Sequence, residues 1–176
     1  MRDVVLDSNQ YWNDPKMTGA RFQSLLDYLR RTGSALVIPR IVRDEVPARY
    51  EDELKSEYSG AVASLNKLRK RAFELRLPEQ LPEPDMGEEV RRLEQKLLAP
   101  GAGVASALLS DYSDISLEEV ARRGVLRRKP ASPKGEELRD VMVWLATVAY
   151  AKRRHKVGFI SLDGGFRGRT PTYTPN

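Results

Sequence analysis

Four acidic residues stand where a carboxylate can do chemistry: Asp7, Glu45, Asp140 and Asp163. Asp7 directly follows the apolar run Val4-Val5-Leu6, and Asp163 directly follows the run Val157 to Leu162. Glu45 falls shortly after Ala35 to Ile38 and its closing Pro39, and Asp140 is expected in the second turn of an amphipathic helix preceding the last run. With those runs as parallel strands, all four acids belong to the carboxyl edge of one sheet, where open α/β folds bind their ligands. Gathered there, they would repel one another and hold protons to unusually high pH unless a divalent cation neutralised them, so Mg2+ or Mn2+ is the implied cofactor. Such an ion lowers the pKa of a bound water and stabilises an in-line displacement at phosphorus. Glu136 and Glu137 precede Asp140 by four and three residues, so both can share its helical face, and Glu137 is a supplementary ligand candidate. Ser8 and Asn9, next to Asp7, can also offer oxygen to a cation. Each acid has a plainer reading as well: Asp7 as a turn or cap residue, Glu45 and Glu136 as first-turn carboxylates complementing a helix dipole.

The elements that must position these acids can be read from the spacing of apolar residues. Leu138, Val141, Met142, Leu145, Val148 and Ala149 recur at helical intervals, with Ser132 and Pro133 suited to the N-cap and first position. The run Val157 to Leu162 then reads as a buried strand, stopped by Asp163-Gly164-Gly165. At the other end, Val4 to Leu6 is a minimal strand, Phe22, Leu25, Leu26 and Leu29 mark a helix ending before Gly33, and Ala35 to Ile38 is a second strand. This β-α-β order predicts a right-handed crossover and a parallel sheet. A further helix is expected to begin at Arg40. From Glu51 to about Leu109 the chain turns Glu-, Lys- and Arg-rich, with apolar steps at Tyr58, Val62, Leu65, Leu68, Ala72 and Leu75, a proline-rich break, and a second stripe through Val90, Leu93, Leu97 and Leu98. That pattern predicts a helical insertion over about 51–130 within a single domain spanning 1–176. Ser116 and Glu119 form a capping box, Ile115 and Val120 a hydrophobic staple, and Gly124 a helix stop.

Composition narrows the partners and the reactions. The 176 residues suit one compact domain, and 30 Lys and Arg against 25 Asp and Glu, with pI near 9.5, favour a polyanionic partner. Arg122, Arg123, Arg127, Arg128, Lys129 and Lys134 crowd the approach to Asp140, and with Arg139 they are the candidate nucleic-acid contacts; a solvated basic linker is the plainer alternative. Zero cysteines exclude disulfides, thiolate catalysis and Cys-ligated zinc. No leader-like segment and no 18-residue apolar run occurs, so a cytoplasmic protein without a membrane partner is expected. The single histidine, His155, lies in the charged turn KRRHK, which leaves no histidine pair and no Ser-His-Asp triad on a G-x-S-x-G elbow. Phosphate-cradling glycine motifs and H-E-x-x-H are absent too. Carboxylate and cation chemistry is what remains.

These motifs, strand-Asp7, strand-Pro39 with Glu45, Arg139-Asp140 on a helix and Ile160-Ser161-Leu162-Asp163, together resemble the PIN-domain nucleases. The strings KGEELRDVMVWLA and FISLDGGF are especially similar to PIN-like domains with a helical insertion. The resemblance covers the first fifty residues and the last forty-odd. It implies a three-layer α/β/α sandwich with a parallel central sheet and metal-dependent endonucleolytic cleavage of RNA. It also implies an acidic quartet of Asp7, Glu45, Asp140 and Asp163, with Ser8, Asn9 and Ser161 hydrogen-bonding ligand carboxylates. A protein antitoxin, a larger complex or a second copy of the chain are associations it leaves open. After Asp163 only thirteen residues remain, with two prolines and no strand pattern, so the sheet's edge is expected to be incomplete or the chain to be part of something longer. The competing reading is a catalytically idle PIN-like module that binds RNA or protein. A haloacid-dehalogenase-like phosphatase fits less well, because Asn9 stands where that family's D-x-D motif needs its second aspartate.

Overall fold

The structure, a computed structural model, describes residues 2–74, 76–104, 106–108, 112–131, 137–154, 156–163 and 166, with the side chains of 106–108, 114 and 154 excepted. Ser132, Pro133, Lys134, Glu136, His155 and the Gly164-Gly165 turn lie outside the described residues.

Two short apolar strands form the centre, and their alternation sorts the core. In β1 (Asp3–Leu6) Val4 and Leu6 face one side and Val5 the other; in β2 (Leu36–Ile38) Leu36 and Ile38 share the first side and Val37 the second. Buried on both faces, such strands read as continuous apolar runs, which is how parallel sheets look in sequence. The sheet has the order β3-β2-β1-β4, all parallel, with β3 (Ser106–Leu108) and β4 (Val157–Ile160) at its ends. On the first face lie α1 (Ser8–Asn13), α2 (Ala20–Thr32), α3 (Arg40–Arg71) and α4 (Met86–Leu98), contributing Tyr11, Phe22, Leu29, Val42, Val46 and Leu97 to one core. Against the second face α6 (Leu138–Arg154) packs Ala146 and Tyr150 over Val5 and Val37, and α5 (Leu117–Val125) in turn covers α6 through Val120 and Val141. The result is the expected α/β/α sandwich. Asp3 ties its layers together: one carboxylate oxygen accepts from Ala35 N at 2.9 Å and the other from Tyr150 Oη at 2.8 Å. No helix among the described residues is long and apolar enough to cross a membrane.

Several elements depart from the sequence reading. The strand β3 lies in a stretch read as helical; three residues beside a Pro-Gly-Ala-Gly run give no alternation long enough to register. Ser8 and Asn9, read as turn residues, open α1 because the Asp7 carboxylate caps it. The helix α3 runs unbroken past residue 51 and through Pro47. It continues because Val42, Val46 and Pro47 bury together, while Arg40–Asp44 (2.9 Å), Arg49–Glu53 (2.7 Å) and Lys55–Glu51 (2.6 Å) pair one turn apart on its exposed side. Gly124 does not stop α5, which ends one residue later; Ser116 does cap it, accepting from Glu119 N at 3.2 Å, and Ile115 packs against Val120. The Glu119 side chain is held instead by Arg122 and Arg123. Finally, β4 ends at Ile160 rather than Leu162, since Leu162 N donates to Asn9 Oδ1 (3.2 Å) and leaves the ladder.

At the end of α2, Gly33 adopts φ 62°, the left-handed cap that turns the chain into β2. A Cβ there is strained, so Gly33→Ala is expected to cost about 1 kcal/mol and lower Tm by about 2–4 °C in a circular-dichroism melt. An unchanged Tm would show the cap to be dispensable.

Candidate functional site

The parallel pairing of β1 with β4, Leu6 opposite Ile160, brings the residues after each strand side by side. Asp7 N donates to Ile160 O at 3.0 Å, the last rung before the chains diverge. The Asp7 carboxylate, 3% exposed, is the acceptor at the centre of a network. One oxygen accepts from Ser8 N at 2.8 Å; the other accepts from Asn9 Nδ2 at 2.7 Å and from Ser161 Oγ at 2.6 Å. Ser161 Oγ in turn accepts from Asn9 Nδ2 (3.1 Å) and Asp163 N (2.9 Å). Every donor points inward at Asp7 or at Ser161, so the first acid is fixed in position and the last is hung from it.

The third acid arrives from α6. Asp140 lies in that helix's first turn, not its second, because the helix begins at Leu138. Its carboxyl is hydrogen-bonded to Asp163 and lies within electrostatic reach of Asp7. Burial, the Asp163 hydrogen bond and the charges of Asp7, Asp163 and Glu137, in that order, push the Asp140 pKa up to about 7. Asp7 is raised too, chiefly by burial, with the Ser161 and Ser8 hydrogen bonds opposing and Asp163 adding to the rise. The position of α6 against β4 is set by aromatic packing: Trp144 meets Phe159 at 6.1 Å, and Phe166, just past Asp163, meets Phe159 at 4.8 Å. Asp163 is thus held between two anchored aromatic residues of its own chain segment.

Residues 4–166 match the PIN domain as a sequence family. The chain belongs to the PIN-domain family. No curated protein and no solved structure matches it. PIN domains are generally nucleases and typically use divalent metals.

In this PIN domain, three of the four expected acids, Asp7, Asp140 and Asp163, neighbour one another, and the fourth is engaged elsewhere. Glu45, whose side chain is 11% exposed, accepts a hydrogen bond from Arg139, the residue before Asp140, and forms an ion pair with it. Arg139, read as a nucleic-acid contact, therefore faces the protein's own carboxylate. Glu137 does not share Asp140's helical face, since it precedes the helix with φ 68°; its carbonyl accepts from Asp140 N at 3.1 Å. Among the described residues no three acidic or histidine side chains stand close enough to hold one ion. The hydrogen bonds account for this: Asp7 is turned toward Ser8, Asn9 and Ser161, and Asp140 toward Asp163. Of the basic group, Arg127 and Arg128 are exposed in the turn after α5, and the Lys129 carbonyl accepts from Arg123. Phe166 and the Asp3–Tyr150 tie were not read from the sequence; a lone phenylalanine in a glycine-rich tail and an aspartate opening a strand carry no periodic signal.

Proposed function

We propose that this PIN domain is an Mg2+- or Mn2+-dependent nuclease that hydrolyses phosphodiester bonds of RNA. The observation that supports this reading is the meeting of Asp7, Asp140 and Asp163, drawn from three distant stretches of chain, beside the carboxyl ends of β1 and β4. Their donor atoms are all hard oxygens in a chain without cysteine, a set suited to Mg2+ or Mn2+. Burial first, then the Asp163 hydrogen bond and the neighbouring carboxylates, keep a proton on Asp140 to about 7, and a divalent ion among these acids would offset both the burial and the repulsion of the ionised form.

Asp7, Asp140 and Asp163 would hold the ion once their carboxylates turned from the hydrogen bonds that engage them, and it would supply Lewis-acid polarisation of the phosphoryl oxygens and a lowered pKa for the attacking water. The chain's own residues do the positioning. Ser8 N, Asn9 and Ser161 fix Asp7, and Ser161 also orients the backbone at Asp163. Asp140 would have to lose the proton it shares with Asp163 for its carboxylate to serve as a ligand. Glu45 joins the other acids only by leaving Arg139, and the planar guanidinium so released can take a phosphate of the strand.

That same Glu45–Arg139 pairing favours a second reading, a PIN-like module that binds RNA or protein without cutting. Incubation of the purified chain with end-labelled single-stranded RNA separates the two. Cleavage to 5′-phosphate and 3′-hydroxyl ends is expected with Mn2+ and none with EDTA. Equal cutting in EDTA overturns the proposed chemistry, and no cutting together with no saturable Mn2+ binding by calorimetry selects the idle module.

A further inference from the structure

The end of α1 remote from Asp7 opens on a second feature. Lys16, Tyr50, Glu89, Arg92, Leu93 and Lys96 line an open cleft of about 360 Å3 between the α1–α2 loop, α3 and α4. Through Pro15, Tyr50 and Leu93 it adjoins a cavity of about 20 Å3, also lined by Tyr11, Trp12 and Glu53. Tyr11 Oη and Trp12 Nε1 are buried without a hydrogen-bond partner, and they are the side-chain atoms so placed among the described residues. A buried donor left unpaired carries its full desolvation penalty, and a cavity of that volume admits one oxygen-sized group. Trp12 Nε1 can only donate, so what completes it must bring an acceptor.

The mouth of the cleft is cationic. Arg92 is committed to Glu88 at 3.0 Å and Glu89 at 2.9 Å, but among the described residues Lys16 and the half-buried Lys96 have no acidic partner. Two unpaired ammonium groups above two unpaired donors make a site for an anion rich in acceptor oxygens. Phosphodiester meets that description, and an ammonium binds it as a point charge. The six residues of α1 rise about 9 Å between Asp7 at one end and the Pro15-Lys16 side of the cleft beyond the other, a span that a strand of several nucleotides exceeds.

We infer that this cleft is a backbone-phosphate subsite for the nucleic-acid strand that the carboxylate cluster acts on, with Lys16 and Lys96 neutralising phosphates and an acceptor oxygen, direct or through one water, completing Tyr11 Oη and Trp12 Nε1. The inference rests on the nuclease reading for its ligand, and it gives α4, part of the central helical stretch, a task in holding substrate.

The test is binding of oligouridylate of about eight nucleotides, followed by anisotropy in EDTA so that nothing is cut. The variant Lys16→Ala/Lys96→Ala changes only side chains at the rim, and a melt checks its fold. Affinity is expected to fall about 10-fold, and the slope of log K against log salt to become shallower by about 1.4, two phosphate contacts on a single strand. In a Trp144→Phe background Trp12 is the sole tryptophan, and its emission is expected to shift on saturation in the parent and not in the double variant. Unchanged affinity and slope overturn the subsite, as does tighter binding of oligoglutamate than of oligouridylate. A Trp12 emission indifferent to RNA overturns the occupancy of the small cavity, leaving a structural water there. If the chain binds RNA through these lysines but never cuts it, the nuclease reading fails alone. If Mn2+-dependent cutting proceeds and the double variant binds and cuts as the parent does, the subsite fails alone.

Discussion

Asp140→Asn is expected to lower Mn2+-dependent RNA cleavage about 10²- to 10³-fold while raising Tm by about 2–4 °C near pH 8. The loss of rate corresponds to the several kcal/mol that a correctly held ion contributes to the transition state. The gain in stability has a separate origin. Burial and neighbouring acids hold the Asp140 pKa in the folded chain at about 7, above its value in the unfolded chain, so between about pH 4 and about 7 the folded state binds more protons. The slope of stability with pH is therefore negative across that window, and above it the ionised carboxylate opposes folding. Asparagine keeps the shape and can still donate to Asp163, but removes the charge that Asp7, Asp163 and Glu137 repel. Because Asp140 is only half-buried, solvent screening reduces the gain to about 1 kcal/mol. A residue that mattered only for folding would lose rate and stability together. The check is a pair of melts, near pH 5 and near pH 8, beside cleavage assays. A variant that cuts RNA at the parental rate removes Asp140 from the site, and one that melts lower near pH 8 removes the repulsion argument. In the parent, cleavage at limiting Mn2+ should rise as pH passes about 7, and excess Mn2+ should move that rise to lower pH, since the ion competes with the Asp140 proton.

The parts of this fold that were legible in the sequence are those with a period or a cap. Val4 to Leu6 and Val157 to Ile160 are apolar runs with an acid at the end, and a parallel sheet places such ends together, so the neighbourhood of Asp7 and Asp163 followed from topology alone. The stripe from Leu138 to Ala149 placed α6, but reading Ser132 and Pro133 as its start put Asp140 one turn too deep in a helix that begins at Leu138. Glu45 shows where the sequence is silent. Its distance from a strand end is right for the cluster, yet its partner is decided by a side chain 94 residues away, Arg139, and no local pattern encodes that pairing. β3 was hidden for a similar reason: its three residues are a strand only because Leu36 to Ile38 offer a free edge beside them. The orphaned donors of Tyr11 and Trp12 belong to the same class, visible only when four separate elements are packed around them.

Asp7→Asn, by contrast with Asp140→Asn, is expected to abolish cleavage and to destabilise the chain by about 1–3 kcal/mol, a fall in Tm of roughly 3–10 °C. The difference lies in what each carboxyl faces. The Asp7 carboxylate only accepts: Ser8 N, Asn9 Nδ2 and Ser161 Oγ all point at it. An amide in its place can still cap α1 through its oxygen, but its nitrogen then meets Asn9 Nδ2, donor against donor. Asn9 cannot relieve this by flipping, because its own oxygen already accepts from Leu162 N and Gln10 Nε2. Ser161 cannot absorb it either, since its lone pairs serve Asn9 Nδ2 and Asp163 N and its proton would lose its acceptor. A buried donor is left unpaired whichever way the amide turns. Ser161→Ala is the matched control: it removes one donor, spares the carboxylate, and should cost about 10- to 100-fold in Mn2+ affinity with a smaller fall in Tm. Melts and Mn2+ titrations on the two variants separate the roles of the network, and an Asp7→Asn chain that melts with the parent would mean that these hydrogen bonds do not hold β1 to β4 in solution.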